Sequence, residues 1–164
     1  MTLFAPSPSS ACTVDLEDPR SPDSATLLAG SEAFIAEVYP EDEDDACPSP
    51  MGDGIARDGS FAVARVDGAA AGCGALMPLA DPGAREIVRM FVRPEFRGRR
   101  IADAVLAALE ARARALGART ILLRCGPRQP VALCVYRRNG YVERGPFGRH
   151  TEHDLNIFLE KTIA

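Results

Sequence analysis

The segment Glu86–Val92, EIVRMFV, is β-rich and reads as a strand. Pro94-Glu95-Phe96-Arg97-Gly98 breaks it, and a long helix begins near Arg99. The apolar positions of that helix, Ile101, Val105, Leu106, Leu109, Ala113 and Leu116, form one continuous face, and Gly117 is a natural stop. A strand that passes through a tight turn into a one-faced helix has few packing solutions, because both elements must bury a face against another layer.

The rest of the chain supplies those layers. Cys12 to Leu16 reads as a short first strand. Ser21 is a plausible N-cap, with Pro22 at the first helical position, for a helix carrying Leu27, Leu28, Phe34, Ile35 and Val38. Gly30 weakens the middle of that helix and is a point at which it could split; Pro40 closes it. Residues 41–59 hold an acidic run, prolines and glycines, and read as a long polar loop. Phe61 to Val66 and Ala71 to Leu79 are strands joined by an Asp67-Gly68 turn, and Asp81-Pro82-Gly83 turns the chain into Glu86–Val92. Thr120 to Leu123 is a short strand, Pro130 opens a helix that ends near Asn139-Gly140, and strands follow at Tyr141-Val142 and Leu155 to Glu160. The order implies a mixed sheet with helices on both faces. Residues 1–11 are Ser- and Pro-rich and are expected to be a flexible end, leaving 12–164 as a single domain.

Composition narrows the class. The 164 residues are 46% hydrophobic and 26% charged, the balance of a soluble globular protein that needs no disulfide or metal to hold a core. There is no apolar stretch of about 20 residues to span a membrane, and no basic flank ahead of an apolar N-terminal core, so no secretory signal is expected. The cysteines Cys12, Cys47, Cys73, Cys125 and Cys134 are odd in number, lack C-x-x-C spacing and have only His150 and His153 to assist. No metal site is expected; buried free thiols in a reducing cytoplasm are. The net charge of -4 does not suit nucleic acid, and the basic stretch lacks interleaved aromatics.

Charge is nonetheless uneven. Arg89, Arg93, Arg97, Arg99 and Arg100 crowd the strand and turn, Glu41 to Asp45 is an acidic run, and Lys161 is the only lysine. The turn before the long helix has the makings of a phosphate cradle. A first helical turn leaves backbone N–H groups unpaired, the helix dipole adds positive character, Gly98 allows close approach, and Arg97, Arg99 and Arg100 add full charges. A solvated helix start is the alternative, but basic residues there oppose the dipole by roughly 0.3–1 kcal/mol each. Neither a P-loop nor a Gly-x-Gly-x-x-Gly sequence follows the strand.

Two segments resemble the GNAT superfamily of acyl-CoA-dependent N-acetyltransferases. Arg97-Gly98-Arg99-Arg100-Ile101-Ala102 is similar to the family's Gln/Arg-x-x-Gly-x-Gly/Ala phosphate motif, matching at its first and last positions, with Arg100 in place of the central glycine. A helical backbone would accommodate arginine there. Ala132-Leu133-Cys134-Val135-Tyr136-Arg137-Arg138-Asn139-Gly140-Tyr141 resembles the family's Ala-x-x-x-Tyr-x-x-x-Gly-Phe/Tyr segment, and Gly145-Pro146-Phe147-Gly148 resembles a bacterial branch. The resemblance runs over residues 12–162.

The resemblance implies an α/β (α+β) fold with a mostly antiparallel central sheet, helices on both faces, and two parallel strands, Glu86–Val92 and Thr120–Arg124, that splay apart to admit acetyl-CoA. Met90, Phe91 and Val92 would pair with the thioester and pantetheine arm, aided by a bulge, and Arg97, Gly98, Arg99, Arg100, Ile101 and Ala102 would hold the pyrophosphate. Tyr136 would be the general acid. For the base, Glu86 lies in alternating phase with Val88, Met90 and Val92, so that it either faces the cleft or pairs at the strand edge; His150 and His153 are further candidates. The expected reaction is acetyl transfer to a primary amine of a small molecule or peptide in a cytoplasmic enzyme, and family members are often homodimers. The acidic run could attract a cationic amine or merely solubilise a loop. A catalytically degenerate acyl-CoA sensor is the other reading.

Overall fold

The computed structural model describes residues 11–40, 50–148 and 155–164. The acidic run, Cys47, both histidines and residues 1–10 lie outside them. The elements are β1 (Cys12–Leu16), α1 (Pro22–Val38), α2 (Gly52–Asp58), β2 (Ser60–Val66), β3 (Ala69–Pro78), β4 (Ala84–Val92), α3 (Ile101–Ala115), β5 (Thr120–Cys125), α4 (Pro130–Arg138), β6 (Val142–Arg144) and β7 (Ile157–Thr162). The strands form one sheet in the order β1-β2-β3-β4-β5-β7-β6. Among the described strands β4 and β5 are the one parallel pair, and every other neighbour is antiparallel. The mixed, mostly antiparallel sheet is the expected one.

Local chemistry explains the elements. The Ser21 side chain accepts the Ser24 N–H at 3.3 Å and caps α1, with Pro22 at the first turn. Asp67 and Gly68, at φ 50° and 83°, have the two positive values that a tight hairpin between β2 and β3 requires. The helix α1 does not split at Gly30. A Cβ there would lie 2.8 Å from the Phe91 ring, so the glycine is a close-packing site within a continuous helix. The polar segment before β2 is not wholly loop either: Gly52–Asp58 is helical because Ile55 is fully buried between α1 and the sheet, and that anchor outweighs two glycines.

Two cores sit on opposite faces. Leu27, Leu28, Ile55, Phe61 and Val63 fill the α1 and α2 side. Ile101, Val105, Leu106 and Leu109 of α3, with Leu133 and Tyr136 of α4, pack on the other. The strand β3 is rich in alanine and glycine, which brings α3 close: a Cβ on Gly74 would meet Leu109 Cδ1 at 2.8 Å.

A buried ionic cluster fastens the second layer. Glu110 of α3 is 6% exposed. It receives Lys161 Nζ at 3.0 and 3.1 Å and the Tyr141 hydroxyl at 3.0 Å, with Arg114 Nη2 at 4.0 Å. The sole lysine thus ties β7 to α3, and burial pushes the Tyr141 phenol above its ordinary value.

The turn into α3 departs from expectation. Arg100 is not helical; it is the N-cap in the left-handed region at φ 59° and ψ 26°, and the helix starts at Ile101. An L side chain in that region costs roughly 1–2 kcal/mol. Arg100→Gly should therefore raise stability by about 1 kcal/mol in urea unfolding, because glycine adopts this conformation without the steric penalty and the 3.9 Å contact of Arg100 with Asp103 is exposed. Lys161→Met should lower stability by about 3 kcal/mol, since it leaves the Glu110 carboxylate buried with one distant cation. A change below 1 kcal/mol would show that water replaces the ammonium there.

Candidate active site

Pairing between β4 and β5 begins at Ala84 with Thr120 and ends at Ile87 with Leu123. Beyond it, β4 continues to Val92 against β3 alone. The β3–β4 register jumps between Cys73 with Phe91 and Ala75 with Val88, so β4 carries one extra residue opposite Gly74. Arg89 takes up that bulge at φ 57°, and its carbonyl accepts the Cys73 thiol at 3.4 Å.

The bulge changes which side chains share a face. Ile87 packs with α3 and Val88 with the α1 core, as alternation requires. After Arg89 the phase inverts: Met90 and Val92 contact the α3 core, and Phe91 the α1 core. Glu86 is therefore in phase with Val88 but not with Met90 and Val92, which corrects the simple alternation read from sequence. That inversion has no local signature, since Arg89 is an ordinary residue type in a strand.

Where the strands part there is a cleft of about 350 Å³. Glu86, Val88 and Arg89 of β4, Arg124 and Cys125 of β5, and Tyr136 of α4 line its floor. Glu32, Phe34 and Ile35 of α1, and Tyr39 just after the helix, line it from one side, and Gln129 and Asn156 also line it. The end of α1 is clamped across the gap. The Tyr39 hydroxyl accepts the Arg128 N–H at 2.9 Å, and the Arg128 guanidinium lies 5.2 Å from the centre of the Tyr39 ring. Gly126 is needed beneath it, because a Cβ would overlap the Tyr39 hydroxyl.

Tyr136 and Glu86, the two sequence-predicted catalytic candidates, thus reach one cavity. Tyr136 is 7% exposed, and its ring meets Tyr141 edge-on at 5.9 Å between centroids. Burial, with a smaller contribution from the Cys125 sulfur, holds its phenol well above the usual value. Such a phenol stays protonated and can only donate its proton near neutral pH. Cys125 is likewise inert, pushed up to about 11 by burial, and Cys73 up to about 12. Cys12 and Cys134 are exposed, so the expectation that the thiols are buried holds for only two of the four described.

The turn candidates occupy the other end of β4. Gly98 has φ 79° with nothing within 4 Å of a Cβ, and the first turn of α3 has no side-chain cap. Its N–H groups therefore face outward as donors. Arg97 lies over the Phe34 ring at 5.2 Å and donates to the Val92 carbonyl at 3.2 Å; Arg99 lies over Phe96 at 5.6 Å. All three arginines of the turn remain exposed. Asp103 in the first turn of α3 counterbalances them. It accepts Arg138 Nη2 at 2.6 Å, Arg138 Nε at 3.0 Å and Asn139 Nδ2 at 2.8 Å, and the Arg138 bonds hold its carboxyl below the usual range. Sequence reasoning did not single out Tyr39, Arg124, Gln129 or Asn156. They come to the cleft through the parallel crossover and the clamp, contacts between residues distant in sequence.

Comparison with known proteins agrees with this geometry. Residues 26–141 match the acetyltransferase (GNAT) family. A relative named IAA acetyltransferase, from Azospirillum brasilense, is 32% identical over 152 residues, which is 92% of this chain and 97% of that protein. A crystal structure named as an acyl-CoA N-acyltransferase, from Klebsiella pneumoniae, superposes with a TM-score of 0.76 at 30% identity, covering 93% of this chain and 98% of that one. The Salmonella typhimurium acetyltransferase yncA, solved with acetyl-CoA, has the same fold at a TM-score of 0.65 and 14% identity, covering 94% and 95% of the two chains. The open parallel strands, the glycine turn and the match over most of the chain have one common explanation: this protein is a member of the GNAT family of acetyltransferases.

Proposed function

We propose that the protein transfers an acetyl group from acetyl-CoA to a primary amine by direct attack, both substrates being bound together. The observation that carries this reading is that β4 and β5 separate at Ile87 and Leu123, and that Tyr136 and Glu86 line the cleft opened there.

The residues present fit acetyl-CoA. The backbone of Gly98, Arg99, Arg100, Ile101 and Ala102 offers N–H donors to a pyrophosphate, and the exposed guanidiniums add charge around it. Arg97 contributes less directly, since its guanidinium is engaged with Phe34 and Val92. The β5-facing edge of β4 at Met90, Phe91 and Val92 has no strand partner among the described residues, and it is suited to pair with the pantetheine arm. The co-substrate supplies an acyl group activated as a thioester.

The chain's own groups handle the protons. An amine near pKa ~10.4 is mostly protonated at neutral pH and must lose a proton before it attacks. Glu86 takes that proton, directly or through water. The N–C bond forms as the C–S bond breaks, Tyr136 gives its phenolic proton to the departing sulfur, and the second proton of the attacking nitrogen passes through water to the phenolate and restores Tyr136. The phenol's buried setting supports this role, because it keeps the proton in place until a stronger base appears beside it.

Acetyl-CoA and CoA should bind in calorimetry with micromolar Kd, and pantetheine at least about 100-fold more weakly, a loss of roughly 2.8 kcal/mol. Equal binding of pantetheine would remove the turn from the site. Tyr136→Phe should lower kcat by about 10²–10⁴-fold while the Kd for acetyl-CoA stays within about twofold. Since burial raises the phenol, kcat of the unaltered enzyme should show no decline from tyrosine ionisation up to about pH 10. Unchanged turnover in Tyr136→Phe would take this residue out of the mechanism.

A further inference from the structure

The cleft has a charge pattern that the general reaction does not explain. Along β5, Ile121, Leu123 and Cys125 belong to the α3 core and Leu122 to the opposite face. Alternation then puts Arg124 on the face of Leu122, which is also the face of Glu86 and Val88 on β4. Glu86 pairs in register with Leu122, so Arg124 follows one step further along the same face, where the strands have begun to part. Arg124 Nη1 reaches Asn156 Oδ1 at 3.4 Å, and both line the cavity. Arg89 lines it from the bulge. Its φ of 57° costs an L residue roughly 1–2 kcal/mol that glycine would not incur, yet the sequence places a guanidinium there. Phe34, Ile35 and Tyr39 bring apolar and aromatic surface to the cleft from the α1 side, and Glu32 adds a carboxylate there.

Two carboxylates, Glu32 and Glu86, and two guanidiniums, Arg89 and Arg124, line the cleft beside apolar and aromatic side chains, a balance of charge that suits a zwitterion. We propose that the acceptor is a free α-amino acid with an apolar side chain: its ammonium faces Glu86, its carboxylate meets Arg124 and Arg89, and its side chain lies against the α1 wall. A guanidinium fork matches a carboxylate in two parallel hydrogen bonds, which fixes the acceptor's orientation as well as its charge. The α-ammonium loses one proton to Glu86, the amine forms the N–C bond as C–S breaks, Tyr136 protonates the departing sulfur, and the second proton on nitrogen returns through water to the Tyr136 phenolate, so that an N-acetylated amino acid and the free CoA thiol leave. The inference rests on the acetyltransferase reading of this same cleft.

The test uses the full chain with saturating acetyl-CoA. The acceptors are L-leucine, L-methionine and L-phenylalanine, each beside its methyl ester and its decarboxylated amine. At least one free acid should show a kcat/KM about tenfold or more above both matched analogues, the discrimination expected of a lost charged hydrogen bond. Arg124→Gln, and separately Arg89→Gly, should shrink that ratio to about twofold or less. Arg89→Gly keeps the bulge conformation available, so it serves if the Arg124 variant fails to fold. An ester or amine used as well as the free acid overturns the inference, as does a ratio that survives both substitutions. Acetyl-CoA binding on the same preparation separates the two levels: binding with no acetylated acid overturns this inference alone, and no binding overturns the parent reading with it.

Discussion

The strand β4 has one residue more than β3 can pair, and the site depends on where that residue goes. Arg89 absorbs it in a left-handed conformation. Before the bulge β4 pairs with strands on both sides; after it, β4 holds only to β3. The bulge also inverts the face that each later side chain serves, sending Met90 and Val92 to α3 and Phe91 to α1. A strand that twists away from its parallel neighbour would ordinarily let the layers close over the gap. Here the gap persists because both layers are fixed elsewhere.

Contacts in three places do the fixing. On one face, Gly30 lets α1 settle onto Phe91, and the Tyr39 clamp carries the helix end over to the loop after β5. On the other, the small residues of β3 draw α3 onto the sheet, and Asp103 binds the end of α4 through Arg138 and Asn139. At the far side the Glu110, Lys161 and Tyr141 cluster joins α3 to β7. Tyr141 then supports the Tyr136 ring edge-on, so the buried cluster that stabilises the layer also sets the position of the phenol in the cleft.

Much of this is legible in the sequence. The hydrophobic face of α3 repeats at helical spacing, Asp67-Gly68 names its turn, and Ser21-Pro22 names a helix start. These are local signals, and the structure agrees with them. What composition hid was set by distant contacts. A single buried Ile55 made a helix of a glycine-containing segment, and Phe91 kept Gly30 inside a continuous one. The family motif located Tyr136 and the turn. It did not reveal that Arg100, standing where the motif has glycine, adopts the very conformation that glycine favours. Nor could any pattern along β4 show that Glu86 and Met90 lie on opposite faces.

The electrostatics of α3 follow from the same economy of neighbours. Three arginines ahead of a helix N-terminus oppose its dipole, and on sequence alone they call for an anion. Asp103 supplies one from within the first turn, close enough to offset the cost in the free protein. Its two oxygens are turned mainly to Arg138 and Asn139, however, and Arg100 reaches it only at 3.9 Å. The carboxylate therefore steadies the helix start without covering the donors of Gly98 to Ala102. A turn arranged this way is stable when empty and leaves its backbone donors open to an anion, which is the combination that the proposed pyrophosphate site needs if the co-substrate is to leave after each turnover.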